Sequence, residues 1–334
     1  MPISFKEDHI SQIPALLMLE KFGYTYLTPD EALALRGGNL ANVLLEPVLR
    51  KQLAAINVVQ VSSVRTTVFS EQNITAGIDA LRNIPMDEGF MEASQTVYDL
   101  LTSGKTLEQI VDGDRKSFVM QYIDWKNPRN NVFHVTEEFA VSRTGMTDTY
   151  RPDIVLFVNG IPLCVIECKR PDVKDSIEQA ISQHLRNQKA DGIRSLYLYS
   201  TLLLAINRQE GSYATTATPE KFWARWREQF ADREEEARYR QELERVVNEP
   251  LLDDKLFGER FGYVRRNFEE LYRQPVIPSV QDEYLYNLCR PERLLQLMYG
   301  FTLYDDGIKK VARYQQYFCL LYTSPSPRDV EESR

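Results

Sequence analysis

Tyr150-Arg151-Pro152-Asp153-Ile154-Val155-Leu156-Phe157-Val158-Asn159-Gly160-Ile161-Pro162-Leu163-Cys164-Val165-Ile166-Glu167-Cys168-Lys169 is the stretch whose reading decides the fold. Two apolar runs of strand length flank Asn159-Gly160, a dipeptide suited to the positive φ angles of a tight hairpin turn. The second run, Cys164 to Lys169, reads as a buried strand, yet it carries Glu167 and Lys169. Charges in such a place need a partner or a metal. Residues two apart on a strand leave the same face, so Glu167 and Lys169 emerge together. Register decides whether Asp153 joins them. A plain two-residue hairpin pairs Val158 with Ile161 and sets Pro152 opposite Glu167, sending Asp153 to the other face. One bulge, or a three-residue loop, pairs Asp153 with Glu167 instead. If the three side chains act together, the hairpin is irregular or kinked at Pro152.

Two carboxylates and a lysine on one sheet face suit a particular chemistry. Hard cations such as Mg²⁺ take oxygen ligands, commonly one or two carboxylates with water and phosphate completing the shell. Such an ion polarises a phosphate and acidifies a water, while a lysine positions that water and offsets developing charge. Asp153, Glu167 and Lys169 supply that set. The competing reading makes the acids solvated positions on an amphipathic sheet, which the apolar context of Glu167 disfavours.

Outward from the hairpin, the pattern is mixed α/β. Before it come helical patterns over 10–22, from Pro29 behind Thr28, and through 43–49 with Pro47 near the start. Residues 73–111 read as mostly helical, with breaks at Asn83-Ile84-Pro85 and Thr102-Ser103-Gly104. Strand patterns over 118–123 and 132–136 follow, the second extended by 137–143. After the hairpin, a helix is expected over 177–188 with Ser176 as cap and Gln179 completing a capping box. A long strand over 195–206 and a charged helix over 220–247 carrying Trp223 and Trp226 complete the layers. Residues 1–250 are expected to form one domain, 251–280 a linker and 281–321 the start of a second unit. The terminal 322–334, with Ser324-Pro325-Ser326-Pro327, reads as disordered.

Composition sets bounds. The 334 residues are 43% hydrophobic and 26% charged, ordinary for a globular chain. A net charge of −8 argues against a protein that coats nucleic acid non-specifically, though not against a local basic cleft. Arg143, Arg151, Arg170, Lys174, Arg186 and Lys189 bracket the active strands and could form such a rim. Cys164, Cys168, Cys289 and Cys319 make no CxxC pair, which implies a reducing compartment and a cytoplasmic setting. No apolar run reaches membrane-span length. Three histidines without a Cys/His cluster give no zinc site, and His134 and His184 read as packing.

Tyr150-Arg151-Pro152-Asp153 through Glu167-Cys168-Lys169-Arg170-Pro171 resembles the nuclease core of restriction (R) subunits of type I restriction–modification enzymes. Tyr122-Ile123-Asp124-Trp125-Lys126-Asn127-Pro128 before it, and Tyr213-Ala214-Thr215-Thr216 and Phe222-Trp223-Ala224-Arg225-Trp226 after it, extend the likeness to about Tyr317. The resemblance implies a restriction-endonuclease-like PD-(D/E)xK core, with a central mixed sheet flanked by helices and a helical N-terminal part. It implies Mg²⁺-dependent cleavage of double-stranded DNA, with Asp153, Glu167 and, as a further ligand, the Cys168 carbonyl on the metal and Lys169 catalytic. It also implies coupling to an ATP-driven translocase and to methyltransferase and specificity subunits. Gln183 fits an accessory glutamine of the family, with Gln179 one turn earlier; the tyrosine expected four residues on is Asn187 here. Related nucleases add an acid from an early helix, for which Glu46 is the candidate. Arg151, Arg170 and Lys174 would contact DNA. Ala312-Arg313-Tyr314-Gln315-Gln316-Tyr317 resembles the entry to the motor, where Arg313 and Gln316 would touch the adenine of ATP. With no G-x-x-x-x-G-K-[ST], hydrolysis of ATP is not expected of this chain, which reads as truncated within the motor. Two other readings stay open: a stand-alone defence or repair nuclease of the same superfold, and a non-cleaving module that docks to a methyltransferase core.

Overall fold

In the computed structural model, which describes residues 11–62 and 65–323, a six-stranded mixed sheet carries the decisive hairpin at its centre. Its strands are β1 (Thr25–Leu27), β2 (Phe133–Glu137), β3 (Ile154–Val158), β4 (Ile161–Cys168), β5 (Leu202–Ile206) and β6 (Gly211–Ala214), and they lie in chain order. The β1–β2 and β4–β5 pairs are parallel and the other three are antiparallel. Every residue of β3, β4 and β5 is buried, so the middle of the sheet is covered on both faces. Helices α1 (Ile13–Lys21), α2 (Glu46–Ile56) and α3 (Ser176–Asn187) are among those that flank it. This is the α/β architecture expected from the sequence.

The hairpin is irregular, as the chemistry requires. Ile161 pairs with Val158 and Pro162 with Phe157, but then Cys164 pairs with Leu156, leaving Leu163 as the extra residue of a bulge. Pro162 has no N–H to give a ladder, and the bulge beside it absorbs that loss. The Leu163 carbonyl turns to the neighbouring strand and accepts from the Thr201 amide at 2.8 Å. Beyond the bulge Ile166 faces Ile154, and the same register sets Glu167 opposite Asp153. At the turn, Asn159 and Gly160 have φ of 52° and 85°. The buried Asn159 amide donates to Tyr122 O and Asn131 Oδ1, and its oxygen accepts from the Val132 amide.

Several expectations are corrected. Residues 105–111 form a strand rather than helix, because Asp112-Gly113, at φ 55° and 89°, turns them into a hairpin with Asp114–Met120. The apolar run 195–206 divides into a helical turn, Arg194–Tyr197, and β5; a continuous apolar stretch cannot show that break. The charged helix starts only at Arg233, where the Asp232 side chain accepts from the amides of Glu234 and Glu235. Trp223 and Trp226 therefore lie in the segment before it, Trp223 against His184 and Trp226 against Tyr213, Tyr317 and Phe318. Asp175, in the left-handed region, precedes α3, and Ser176 lies inside it, accepting from Asn207 Nδ2 at 2.8 Å. The expected capping box is absent. β2 ends at Glu137, since Glu138 takes φ 49°.

Segments beyond residue 250 share the core. The 251–280 stretch, expected as a linker, buries Leu256, Phe257 and Phe268 and includes the helix Arg265–Leu271. The helix Val280–Leu288 lies against α1, with Gln281 Nε2 donating to Ser11 O at 2.8 Å. Tyr213 of β6 donates to Ala312 O at 2.9 Å. Arg313 and Gln316 are exposed at the start of the last helix, where the Gln316 side chain accepts from the Arg313 amide. Most of the 322–334 tail lies outside the described residues.

Gly160 holds the hairpin against α2. A Cβ there would meet Leu45 O at 2.6 Å while the backbone keeps a φ that side chains rarely adopt. Gly160→Ala is expected to cost about 2 kcal/mol or more, read as a lower urea midpoint; a midpoint unchanged from the parent chain contradicts the assigned turn.

Candidate metal-binding active site

The site forms where β3 begins and β4 ends, at the end of the sheet away from the Asn-Gly turn. Asp153 Oδ2 accepts from the Cys168 amide at 2.7 Å and from Lys169 Nζ at 3.2 Å. Lys169 Nζ also donates to the Cys168 carbonyl at 3.0 Å and lies 3.9 Å from Glu167 Oε2. Asp153, Glu167 and Lys169 thus meet, with the Cys168 carbonyl beside them. Ser11 Oγ donates to Lys169 O, and Gln12 Nε2 donates to Asp153 O, so the residues just ahead of α1 brace both strands of the site.

Glu167 is the electrostatic centre. It is 0% exposed, and neither carboxylate oxygen has a hydrogen-bond partner. Burial first, then the charge of Asp153, pushes its carboxyl well above the ordinary range, against the lowering effect of Lys169 and Arg186. A buried acid without donors is a costly arrangement. A divalent cation removes that cost, because it takes the proton's place on hard oxygen donors. Two carboxylates and a carbonyl fit Mg²⁺, which keeps several waters. Among the described residues no group of three or more His, Cys, Asp or Glu side chains is placed to hold a metal ion, so side chains supply two carboxylates at most. Glu138, half-buried at the rim, is also pushed upward, by burial first and Asp153 second.

Helix α3 lies behind the site. Its His184 is fully buried, with Nε2 2.9 Å from Leu204 O and Nδ1 3.0 Å from the Tyr197 hydroxyl. The carbonyl requires a protonated Nε2, so Nδ1 accepts from the tyrosine. Burial pushes His184 down to about 3 and keeps it neutral. Asn187 is buried too, and its Nδ2 reaches the same hydroxyl at 3.4 Å. A phenol thus arrives beside position 187 from Tyr197, outside α3. His184 was legible only as packing, and Tyr197 stood within an apolar run.

The remaining candidates separate. Gln183 is half-buried on α3, and Gln179 is spent on the Lys174 carbonyl at 3.0 Å. Arg170 pairs with Asp172, and Lys174 is exposed near Asp175. Arg143 pairs with Asp148 and Asp191, and its guanidinium and that of Arg186 each lie 4.5 Å from the Tyr150 ring. Arg151 and Arg186 are exposed and form no ion pair among the described residues. Glu46 is not brought to the site. It binds Asn42 and Arg82 at the start of α2, beside Gly160. Seven residues of extended chain separate Gly160 from Asp153, a distance on the order of 20 Å.

A mixed sheet presenting Asp, Glu and Lys from one bulged hairpin is the core expected of a PD-(D/E)xK protein. Residues 4–222 match the family described as type I restriction enzyme R protein N terminus, and the chain belongs to that family. It is 24% identical over 321 residues to the putative type I restriction enzyme MjaIXP endonuclease subunit of Methanocaldococcus jannaschii, covering 93% of this chain and 27% of that protein. It is 25% identical over 325 residues to the type I restriction enzyme HindI endonuclease subunit of Haemophilus influenzae, covering 93% and 26%. The chain therefore spans about a quarter of the length of these relatives.

The raised carboxyl of Glu167 makes metal-free stability fall with pH. Below about 4.5 both folded and unfolded chains hold the proton, whereas above it the unfolded chain releases one that the fold retains. Glu167→Gln is expected to stabilise the metal-free chain at pH 8 by on the order of 1 kcal/mol or more, read as a higher melting temperature, and to abolish the gain produced by Mg²⁺ or Mn²⁺. A variant less stable than its parent without metal contradicts this electrostatic reading.

Proposed function

We propose that this chain is the endonuclease part of a type I restriction R subunit and hydrolyses phosphodiester bonds of double-stranded DNA with Mg²⁺. The observation that carries the proposal is the fully buried, unpartnered Glu167 carboxylate beside Asp153 and Lys169. Asp153, Glu167 and the Cys168 carbonyl would hold the ion, whose contribution is to polarise the phosphate and acidify a water. Lys169 keeps its ammonium at this oxygen cluster, where it orients water and offsets charge that develops on the phosphate. The water oxygen gives up a proton and bonds to phosphorus as one P–O ester bond breaks, and the leaving oxygen takes up a proton. Arg151 and Arg186 supply cations for the DNA backbone.

In this reading cleavage is tied to ATP-driven translocation by the longer protein, in a cytoplasmic complex with methyltransferase and specificity subunits that choose the DNA sequence. The relatives named as type I endonuclease subunits support that assignment. No helix among the described residues is long and apolar enough to cross a membrane. The 334-residue chain alone is expected to cut linear DNA weakly or not at all, and ATP is not expected to change that.

The test joins the chain to an ATP-driven motor segment and adds methyltransferase and specificity subunits with ATP and Mg²⁺. Asp153→Ala and Lys169→Ala are each expected to lower DNA cleavage by about 100-fold or more while ATP hydrolysis continues. Cleavage indifferent to both substitutions, or no metal binding by the parent chain, refutes the nuclease assignment and favours an assembly module.

A further inference from the structure

Far along the chain from the site, the hairpin of Thr302–Asp305 and Ile308–Val311 buries a residue that hairpins ordinarily expose. Leu303 and Ile308 are 54% and 56% exposed, whereas Lys309 is 3% exposed. Sliding the second strand by one residue would bury Ile308 in place of the lysine. Apolar burial alone favours that alternative. No carboxylate compensates Lys309: among the described residues it forms no ion pair, and burial pushes its ammonium down to about 7.

The ammonium has a definite destination. Its Nζ donates to the Ser200 carbonyl at 3.0 Å and to Thr201 Oγ1 at 3.3 Å. Those two residues form the junction between the helical turn Arg194–Tyr197 and β5. Thr216 Oγ1 donates to the same Ser200 carbonyl at 2.8 Å, so the junction is clamped twice. The hairpin itself is held by other bonds. Tyr304, the cross-strand partner of Lys309, has its hydroxyl 2.8 Å from Ser94 Oγ, and the Tyr98 hydroxyl donates to Thr302 O at 2.7 Å. Docking of the hairpin therefore does not require the lysine.

Thr201 is also where the bulge of the central hairpin is anchored. Its amide donates at 2.8 Å to the carbonyl of Leu163, the extra residue between β3 and β4. That bulge sets Asp153 opposite Glu167, so one line of contacts runs from Lys309 through Thr201 to the register of the site. We propose that Lys309 is a positioning residue for the metal site, pinning the start of β5 and, through Thr201, the bulged register of β3 and β4. This rests on the nuclease reading above. A lysine suits the task because its ammonium offers three donors on a flexible stem and bonds oxygens of two adjacent residues at once. An apolar side chain of similar volume commonly replaces a buried charge without loss of stability. What Lys309 contributes is geometry.

The test compares the 334-residue chain with its Lys309→Met variant, which keeps the stem and removes the donors. Mn²⁺ calorimetry, thermal melting and amide hydrogen exchange are measured on both. Lys309→Met should melt at or above the parent temperature, yet bind Mn²⁺ about fivefold or more weakly. Without metal its Thr201 amide should exchange about tenfold or more faster, while amides of β1 and β2 stay within about threefold of the parent. Thr201→Val, which keeps that amide and loses the Oγ1 acceptor, should weaken Mn²⁺ in the same direction, and it carries the test if Lys309→Met does not fold. Mn²⁺ affinity within about twofold of the parent in both variants, or a Thr201 amide no less protected in Lys309→Met, overturns the inference and leaves the nuclease reading intact. A parent chain that binds no Mn²⁺ overturns the nuclease reading, and this inference falls with it.

Discussion

A carboxylate held in the middle of a sheet, out of water and without a donor, is the constraint on which the rest of the site depends. Glu167 sits at the end of a strand buried on both faces, where apolar neighbours stabilise the fold and offer the acid nothing. The sheet can keep it there because β3, β4 and β5 together bury a large apolar surface, at about 1.5–3 kcal/mol per large aliphatic side chain. Stability gained in the core is thus set against an electrostatic cost at its edge. The same burial lowers the local dielectric, so a cation that arrives is held more strongly than it would be at the surface.

Apart from Lys169, the support around Glu167 is made of neutral groups. Gln12 and Ser11 hold backbone carbonyls of the site, and His184 is kept uncharged between Tyr197 and Leu204. A protonated histidine or a tightly paired arginine there would satisfy the acids and blunt their attraction for an ion. Charged partners appear one step away instead: Arg260 on Glu137, and Arg143 on Asp148 and Asp191. Geometry is fixed by uncharged hydrogen bonds, and charge is left to the ligand set.

Much of this was legible in the residues. The Asn-Gly turn, the strand lengths and the shared face of Glu167 and Lys169 follow from local rules, and the chemistry of the three side chains required an irregular register. Pro162, a residue that central strands tolerate chiefly at bulges, marked where the irregularity falls. What could not be read was long-range. Glu46 had the right residue type on an early helix, but only the path of the chain shows that helix at the turn end of the hairpin. Glu138 looked like a strand residue because nothing local announces a left-handed glutamate. Residues 105–111 adjoin the hairpin-type Asp112-Gly113 dipeptide, but the helical pattern that runs into them masks its signal.

The Leu163 bulge bears on how such a chain can change over time. In a strand buried on both sides, slipping the pairing by one residue exchanges one apolar surface for another, so hydrophobicity barely resists the slip. Insertion or deletion of a single residue between Gly160 and Glu167 would turn Asp153 away from its partner even where apolar side chains refill the core. The length of this hairpin is therefore as critical to the site as the three reactive side chains themselves.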